Sequence, residues 1–254
     1  MSLLDINDLS IQYSTNEGSI DAVRNVSFSI GENETFGLVG ESGCGKSTLA
    51  KSILRILPPN GEITGGSIDL NLPNRLVNRA TTDTETLQEI RWDEVSMIAQ
   101  SAMNALDPVY TVGEQIVEAI QIHEDTSTKK ARERSRELLD TVGLDPERID
   151  SYPHQLSGGM RQRAMIAMAL ALEPSLILAD EPTTALDVIT QDHILEEINT
   201  LKKRLGSSML IITHDISVVA ETCDRVGVMY GGELVEVGPI EQVFVNPEHP
   251  YTLG

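Results

Sequence analysis

Residues 40–48, Gly-Glu-Ser-Gly-Cys-Gly-Lys-Ser-Thr, restrict the possible folds of this chain more than any other segment. They follow a short apolar run, residues 35–40, and precede a stretch of helical composition. Glycines let the backbone wrap closely around phosphate groups, and the N–H groups at a helix start face the negative charge. This order of strand, glycine-rich loop and helix predicts a nucleotide site in an α/β fold. We call residues 40–48 the phosphate loop.

Two side chains of the phosphate loop are predicted to act directly on ATP. Lys46 is expected to reach the β- and γ-phosphates, and the hydroxyl of Ser47 is expected to bind Mg²⁺. A chance glycine-rich loop is the alternative, but the match extends through the full Gly-Lys-Ser ending. The remaining residues expected to surround the nucleotide phosphates are Gly40, Ser42, Gly43, Cys44, Gly45 and Thr48.

Apolar patterns along the chain predict strands that alternate with helices, which favours a parallel sheet covered on both faces. Residues 60–89 are polar and turn-rich and give no detailed pattern. Two antiparallel strands are predicted at 3–13 and 19–30, and buried strands at 35–40, 95–99, 176–180 and 208–213. Helices are predicted at 48–57, within 111–142, and at 156–172 and 191–205.

The apolar strand at 176–180 ends in two carboxylates, Asp180 and Glu181. At the carboxyl edge of the sheet, Asp180 is placed to hold the Mg²⁺ shell, and Glu181 is placed to face an attacking water. A solvated acidic turn before Pro182 would be the default interpretation of this segment alone. The phosphate loop elsewhere in the chain favours the catalytic interpretation instead.

Residues 156–162, Leu-Ser-Gly-Gly-Met-Arg-Gln, contain a second helix start suited to an anion. This signature segment, with Ser157, Gly158 and Gly159, resembles the signature motif of the ATP-binding-cassette (ABC) ATPases. In that family, the signature of one subunit closes over the ATP held by the phosphate loop of another subunit. The resemblance therefore implies a dimer with shared ATP sites.

Further motifs of the ABC ATPases follow in the same order along essentially the whole chain. By resemblance, Tyr13 stacks on adenine, and Gln100 senses Mg²⁺ and the attacking water. Asp187 belongs to the loop that links the two sites, and His214 contacts the γ-phosphate. A tyrosine in a strand or a histidine after one is usually structural, so these roles depend on the motifs occurring together in register.

The resemblance also implies an architecture. Residues 1–254 are expected to form a single ABC nucleotide-binding domain of the α/β class. Its parts would be a P-loop (RecA-like) parallel-sheet core, an N-terminal antiparallel β subdomain and a helical signature subdomain at roughly 101–160. The implied activity is ATP hydrolysis with ATP and Mg²⁺.

The residues that flank the shared motifs resemble those of the subfamily that serves dipeptide, oligopeptide and nickel importers. The segments that carry this resemblance are residues 107–113, 151–155, 181–188 and 249–252. The subfamily implies a peripheral ATPase on the cytoplasmic face of the membrane, with two transmembrane permease subunits and a second cassette, identical or paralogous. An extracytoplasmic substrate-binding protein would act indirectly.

Other branches of the family remain open alternatives. A nickel or other small-solute importer fits the same motifs, and a soluble ABC protein of DNA repair or translation is a further alternative. Such soluble proteins usually carry a coiled-coil insertion or a second cassette, and neither is present in this sequence. Residues 101–105 depart from the usual acidic or proline-containing pattern, so the contact with the permease is expected to differ.

The charge of the chain is strongly acidic. It carries 19 Lys and Arg against 39 Asp and Glu, a formal net charge of −20, which disfavours nucleic acid as a partner. The longest apolar run, residues 164–172, is too short for a membrane span, and the two cysteines indicate no disulfide framework. We expect either an ordinary acidic cytosolic protein or one adapted to a salt-rich cytoplasm.

If the acidic surface is an adaptation to salt, the free energy of unfolding should rise between about 0.1 M and about 2 M KCl. Counterions would then screen the repulsion among the carboxylates. Chemical denaturation at the two salt concentrations measures this, and sucrose, which stabilises by exclusion without screening charge, is the control. An equal free energy of unfolding at both KCl concentrations would exclude adaptation to salt and favour an ordinary acidic cytosolic protein.

Overall fold

The computed structural model describes residues 2–72, 75–78, 86, 89–99, 105–182 and 188–253. Contacts divide the chain into two compact units. The first comprises Met1–Arg91 and Ser208–Gly254, and the second comprises Trp92–Ser207. The predicted helical segment, roughly residues 101–160, falls inside the second unit, while the single-domain organisation stays a prediction.

The described residues form strands and helices in alternation. The strands are β1 (Ser2–Thr15), β2 (Gly18–Gly31), β3 (Thr35–Gly40), β4 (Gly61–Leu72), β5 (Arg75–Asn78), β6 (Val95–Ile98), β7 (Leu176–Asp180), β8 (Ser208–Ile212), β9 (Arg225–Tyr230) and β10 (Glu233–Pro239). The helices are α1 (Lys46–Ile53), α2 (Val112–His123), α3 (Thr128–Thr141), α4 (Gly158–Ala169), α5 (Val188–Leu205), α6 (Ile216–Thr222), α7 (Ile240–Val245) and α8 (Pro250–Leu253). None of these helices is long and apolar enough to cross a membrane.

An antiparallel sheet in the order β2-β1-β4-β5 begins the first unit. β1 pairs with β2 on one side and β4 on the other, so that Ile6 lies opposite both Phe28 and Ile68. These side chains are buried, which explains why both predicted strands show an apolar pattern. β4 and β5 occupy the polar stretch, residues 60–89, for which no detailed pattern was predicted. β4 begins with the glycine-containing residues 61–66, which alternate between half-buried and exposed, and it buries only its later apolar positions.

A second group of strands in the first unit follows the order β10-β9-β3-β8. β3 runs parallel to β8 and to β9, and β10 pairs antiparallel with β9. Residues 35–39 are all buried because β3 has a hydrogen-bonded neighbour on each side. This is the environment in which a strand is continuously apolar rather than alternating. The predicted strands at 35–40 and 208–213 are therefore confirmed, with β8 ending at Ile212.

Helix α1 is shorter than its predicted range of 48–57. It begins at Lys46 and ends at Ile53, well before Pro58 and Pro59. Arg55 has a left-handed backbone with a φ of 49°, which a continuing helix does not allow. The N–H of Ile56 donates to the carbonyl of Lys51 at 3.0 Å and closes the helix end. The local turn therefore ends the helix before the prolines are reached.

The second unit pairs β6 in parallel with β7, so that Val95 lies opposite Leu176. The helical pattern predicted within 111–142 is two helices, α2 and α3. α2 begins with a reciprocal capping box. Thr111 Oγ1 accepts from the N–H of Glu114 at 3.3 Å, and the Glu114 carboxylate accepts from the N–H of Thr111 at 2.7 Å. The hydrogen bonds from the backbone and the hydroxyl of Thr111 lower the pKa of Glu114.

Arg163 of α4 connects three helical segments within the second unit. Its guanidinium donates to the carbonyl oxygen of Val142, just after α3, and to the carboxylate of Glu197 in α5. The charged pair is largely buried, with side chains 18% and 29% exposed. A charge removed from water is stabilised only when it is paired, so this contact fixes how α3, α4 and α5 meet.

Gly113 in α2 provides a test of the packing between α2 and the short 3₁₀ segment Pro146–Asp150 that follows α3. A Cβ atom at this position would lie 2.2 Å from Cγ1 of Ile149 and 2.8 Å from its carbonyl oxygen. Gly113→Ala should therefore destabilise the protein by roughly 1–3 kcal/mol. In an unobstructed helix, the same change would stabilise by up to about 1 kcal/mol. Urea denaturation measures the difference.

The matched control for Gly113 is Glu118→Ala, on the exposed face of the same helix. It should change the free energy of unfolding by less than about 0.5 kcal/mol. A Gly113→Ala protein as stable as the parent would show that α2 does not pack against Ile149 as described.

Candidate nucleotide site

Close backbone contacts shape the phosphate loop. The φ angles of Gly40 and Gly45 are 147° and 105°. A Cβ at Gly40 would lie 2.1 Å from the carbonyl oxygen of Met229, and one at Gly45 would lie 2.2 Å from that of Ala22. Both positions therefore accept only glycine. Gly43, with a φ of 82°, has no neighbouring atom within 4 Å of its Cβ position, so space is open beside the loop there.

Lys46 is buried, and its ammonium group lies inside the phosphate loop. Its Nζ donates to the carbonyl oxygens of Gly40 at 2.8 Å and Glu41 at 2.7 Å, and it lies 3.5 Å from Sγ of Cys44. Lys46 is also the first residue of α1, whose backbone N–H groups are available at the helix start. The ammonium charge and these N–H groups together form an anion-binding environment.

Tyr13 lies beside the first turn of α1. Its hydroxyl shares a hydrogen bond of 3.1 Å with the hydroxyl of Thr48. Its ring covers Gly61, where a Cβ would come within 2.6 Å of Cε1 of the ring. The structure thus brings Tyr13 together with the end of the phosphate loop. Stacking of its ring on adenine stays a prediction.

His214 follows β8 and is exposed. It lines a cavity of about 390 Å³ together with Gly40 and Glu41 at the start of the phosphate loop. The N–H of Thr213 donates to the carbonyl of Leu38 at 3.4 Å, which holds the end of β8 against β3. The position of His214 beside the loop therefore follows from the parallel pairing of β3 and β8.

The second unit contains the predicted carboxylates. Asp180 is the last residue of β7 and is only 3% exposed. Glu181 has a left-handed backbone with a φ of 47°, which is costly for a residue with a side chain. Such conformations persist only where the surrounding structure enforces them, and they are concentrated at functional sites. The turn at Glu181 is thus a specifically maintained feature.

The signature segment forms the start of α4. Ser157 is exposed and caps the helix, because its Oγ accepts a hydrogen bond from the N–H of Met160 at 3.3 Å. Gly158 and Gly159 form the first turn, where backbone N–H groups have no helical partner. Further along the helix, Gln162 donates from Nε2 to the carbonyl of Pro182. α4 therefore supports the turn that contains Glu181.

The ABC transporter family matches residues 23–184, more than half of the chain. The chain belongs to the ABC transporter ATP-binding family.

Full-length relatives of this ABC ATPase have closely similar sequences. It is 48% identical to a probable peptide ABC transporter ATP-binding protein of Sinorhizobium fredii, over 98% of this chain and 74% of that protein. It is 46% identical to the dipeptide transport ATP-binding protein of Bacillus subtilis, over 99% of this chain and 75% of that protein. The likeness therefore extends well beyond the shared motifs.

Solved structures of ABC cassettes have the same fold. The dimeric ATP-binding cassette MJ0796, in a post-hydrolysis state with ADP and Pi, superposes with a TM-score of 0.82 at 30% identity, covering 93% of this chain and 98% of that one. cbiO1 of Clostridium perfringens gives a TM-score of 0.79 at 26% identity, covering 96% and 91% of the two chains. The predicted α/β class with a parallel core and an antiparallel sheet is thus confirmed, and this ABC ATPase is an ATP hydrolase.

Several predicted site residues of the ABC ATPase are not tested by its structure. Gln100 and Asp187 lie outside the described residues, as does most of segment 101–105. Gln162 was not singled out from the sequence, although a buried glutamine within a largely apolar helix was an available signal. The roles of the phosphate loop, Tyr13, Asp180, Glu181, His214 and the signature segment stay predictions, each with the position described above.

Proposed function

We propose that this chain is the ATP-hydrolysing subunit of a membrane importer for dipeptides or oligopeptides. The observation that carries the proposal is the near full-length likeness to proteins named for peptide transport. The oligopeptide transport ATP-binding protein of Bacillus subtilis, for example, is 45% identical over 99% of this chain. Residues 107–113 and 249–252, outside the shared ATP motifs, support the same subfamily.

ATP binding is assigned to the phosphate loop in this proposal. The ammonium of Lys46 exchanges its loop carbonyl contacts for the β- and γ-phosphate oxygens, and the N–H groups at the start of α1 face the same charge. Tyr13 provides an aromatic surface for adenine. The open space beside Gly43 supports this assignment, since it leaves room for phosphate against the backbone.

The hydroxyl of Ser47 and the carboxylate of Asp180 are the proposed protein ligands of Mg²⁺, together with Gln100. All are hard oxygen donors, and Asp180 is buried at a strand end, so the chemistry of the donor set fits this ion. No group of three or more His, Cys, Asp or Glu side chains in the described part of the chain could hold a metal on its own. Few protein ligands suffice for Mg²⁺, because nucleotide phosphates and water complete its shell. When bound, the ion neutralises charge on the phosphates.

Glu181 and His214 are assigned to the hydrolytic step. A water oxygen attacks the γ-phosphorus, the bond from that phosphorus to the bridging oxygen breaks, and ADP and phosphate result. Glu181 orients this water and accepts its proton, while His214 holds the γ-phosphate in line. The left-handed backbone of Glu181 supports this role, because such conformations are concentrated at functional sites.

A second cassette is expected to complete each site. Ser157, Gly158 and Gly159 of one chain would place the start of α4 over the γ-phosphate held by the other. The dimeric cassette MJ0796 supports this arrangement. Two transmembrane permease subunits would bind the cassettes on the cytoplasmic face of the membrane, and a substrate-binding protein would deliver the cargo. The acidic net charge of −20 argues against nucleic acid as a partner.

Glu181→Gln should bind ATP but lose turnover by roughly 10²–10⁴-fold, because the amide cannot accept the proton from water. The variant should accumulate as an ATP-bound dimer, since the closed dimer is released only after hydrolysis. Phosphate release measures turnover, and size-exclusion chromatography with light scattering measures the dimer.

Glu118→Gln, an exposed carboxyl in the same unit, is the matched control and should hydrolyse ATP like the parent. Full activity of Glu181→Gln would remove Glu181 from the catalytic role. Loss of ATP binding in that variant would show instead that this residue supports the loop structure.

Peptide import predicts that ATP hydrolysis depends on membrane partners and cargo. In proteoliposomes with the two permease subunits, turnover should rise when a binding protein loaded with dipeptide or oligopeptide is added, because closure of the cassettes is coupled to delivery. The same binding protein without peptide is the control. Stimulation by a nickel-loaded binding protein, but not by a peptide-loaded one, would favour the alternative importer.

A further inference from the structure

Residues 249–252, His-Pro-Tyr-Thr, form a turn that is fixed to β10; we call it the C-terminal turn. The carboxylate of Glu236 accepts hydrogen bonds from the N–H groups of Glu248 at 2.9 Å and His249 at 3.1 Å. Nδ1 of His249 then accepts from the N–H of Tyr251 at 3.2 Å. The backbone before and inside the turn is therefore held on the sheet, and the direction of Tyr251 is fixed.

The ring of Tyr251 packs against the core behind the phosphate loop. Its centroid lies 4.6 Å from that of Tyr230 at the end of β9, with the two rings tilted by 38°. The ring also packs against the buried cluster that contains Val39 and Val228, from the ends of β3 and β9. Aromatic contacts of this kind hold a side chain in one orientation.

The phenol of Tyr251 reaches the phosphate loop itself. Tyr251 lines the same cavity as Gly40, Glu41 and His214. Burial raises the pKa of Tyr251, with the carboxylate of Glu41 acting in the same direction, while a hydrogen bond from the backbone N–H of Glu41 opposes the rise. Tyr251 and Glu41 therefore border the same space at the start of the phosphate loop.

Glu41 links this contact to the lysine of the nucleotide site. Its carbonyl oxygen accepts a hydrogen bond from the ammonium of Lys46 at 2.7 Å, and the residue lines the same cavity as Tyr251. A shift of Glu41 would therefore move a partner of Lys46. The loop on the other side of Glu41 has open space at Gly43, so it depends on such contacts for its order.

We propose that Tyr251 is a positioning residue for ATP binding, and that the C-terminal turn acts as a brace that holds Glu41 and the phosphate loop in the binding-competent conformation. Without the brace, part of the binding energy of ATP would be needed to order the loop, and affinity would fall accordingly. The inference rests on ATP binding at the phosphate loop and not on peptide as the cargo.

Cys44 provides a native reporter of loop order that needs no nucleotide. It is buried in the loop, 7% exposed, and the other cysteine, Cys223, can be replaced by alanine in every variant. In this background, alkylation of Cys44 should be about fivefold faster in Tyr251→Ala than in the parent, because the loop opens more often. Hydrogen exchange at residues 41–43 should accelerate in parallel.

ATP affinity provides the second measurement. Tyr251→Phe, which keeps the ring and its packing on Tyr230, should bind ATP about threefold more weakly, because it removes the polar group that Tyr251 presents beside the loop. Tyr251→Ala should bind ATP at least about tenfold more weakly than the parent. The affinity of Tyr251→Phe should therefore lie between those of Tyr251→Ala and the parent. KM for ATP should rise in both variants by a larger factor than kcat falls, since the brace acts on binding.

Leu253→Ala, an exposed position in the same short helix, is the matched control and should leave Cys44 reactivity and ATP affinity unchanged. An unaltered unfolding midpoint for Tyr251→Phe, together with its lower affinity, would separate positioning from general stability. Parent-like Cys44 alkylation and ATP affinity in both Tyr251 variants would overturn the inference. Faster alkylation with unchanged ATP affinity would overturn it as well, because the brace would then not serve binding.

Discussion

Two glycines of the phosphate loop allow the close backbone contacts on which the assembly of the first unit depends. At Gly40 and Gly45, the backbone of the phosphate loop approaches the carbonyl oxygens of Met229 and Ala22 so closely that no side chain fits. Met229 belongs to β9 and Ala22 belongs to β2, so these contacts hold the loop between a strand of the parallel group and a strand of the antiparallel sheet. The position of Lys46, which uses the carbonyl of Gly40, depends on the same approach. The glycines therefore serve the assembly of the unit as well as the phosphate binding proposed for the loop.

The elements that could be predicted from sequence are those whose local pattern and tertiary environment agree. β3 and β8 are continuously apolar because both lie inside a parallel group, and β1 and β2 alternate because their sheet buries one face. β4 could not be predicted, because its glycine-containing start has no apolar period. The early end of α1 also escaped prediction, because it depends on a left-handed residue, Arg55, that carries no glycine or asparagine signal.

The same division holds for the site. The phosphate loop and the strand that ends at Asp180 are visible in the sequence because a contiguous run of residues performs each task. The left-handed backbone of Glu181, the hydrogen bond from Gln162 to Pro182 and the contact of Tyr251 with the loop are not. The two contacts join segments that are distant in sequence, so no contiguous pattern records them. Such tertiary contacts hold in place the segments to which the motifs assign the chemistry.

The starts of α1 and α4, which are proposed to bind phosphate, contain no acidic residue, although the chain as a whole is strongly acidic. Although the sequence contains 39 Asp and Glu, only α2 and α7 among the described α-helices have a carboxylate in the first turn, Glu114 and Glu241. The first turns of α1 and α4 contain none. A carboxylate there would occupy the free N–H groups and repel phosphate, removing the favourable end of the helix dipole. α3 also begins without an acidic residue, so this absence is a condition for binding phosphate rather than a marker of it. What distinguishes α1 and α4 is glycine at their starts: Gly45 is the N-cap of α1, and Gly158 and Gly159 are the first residues of α4.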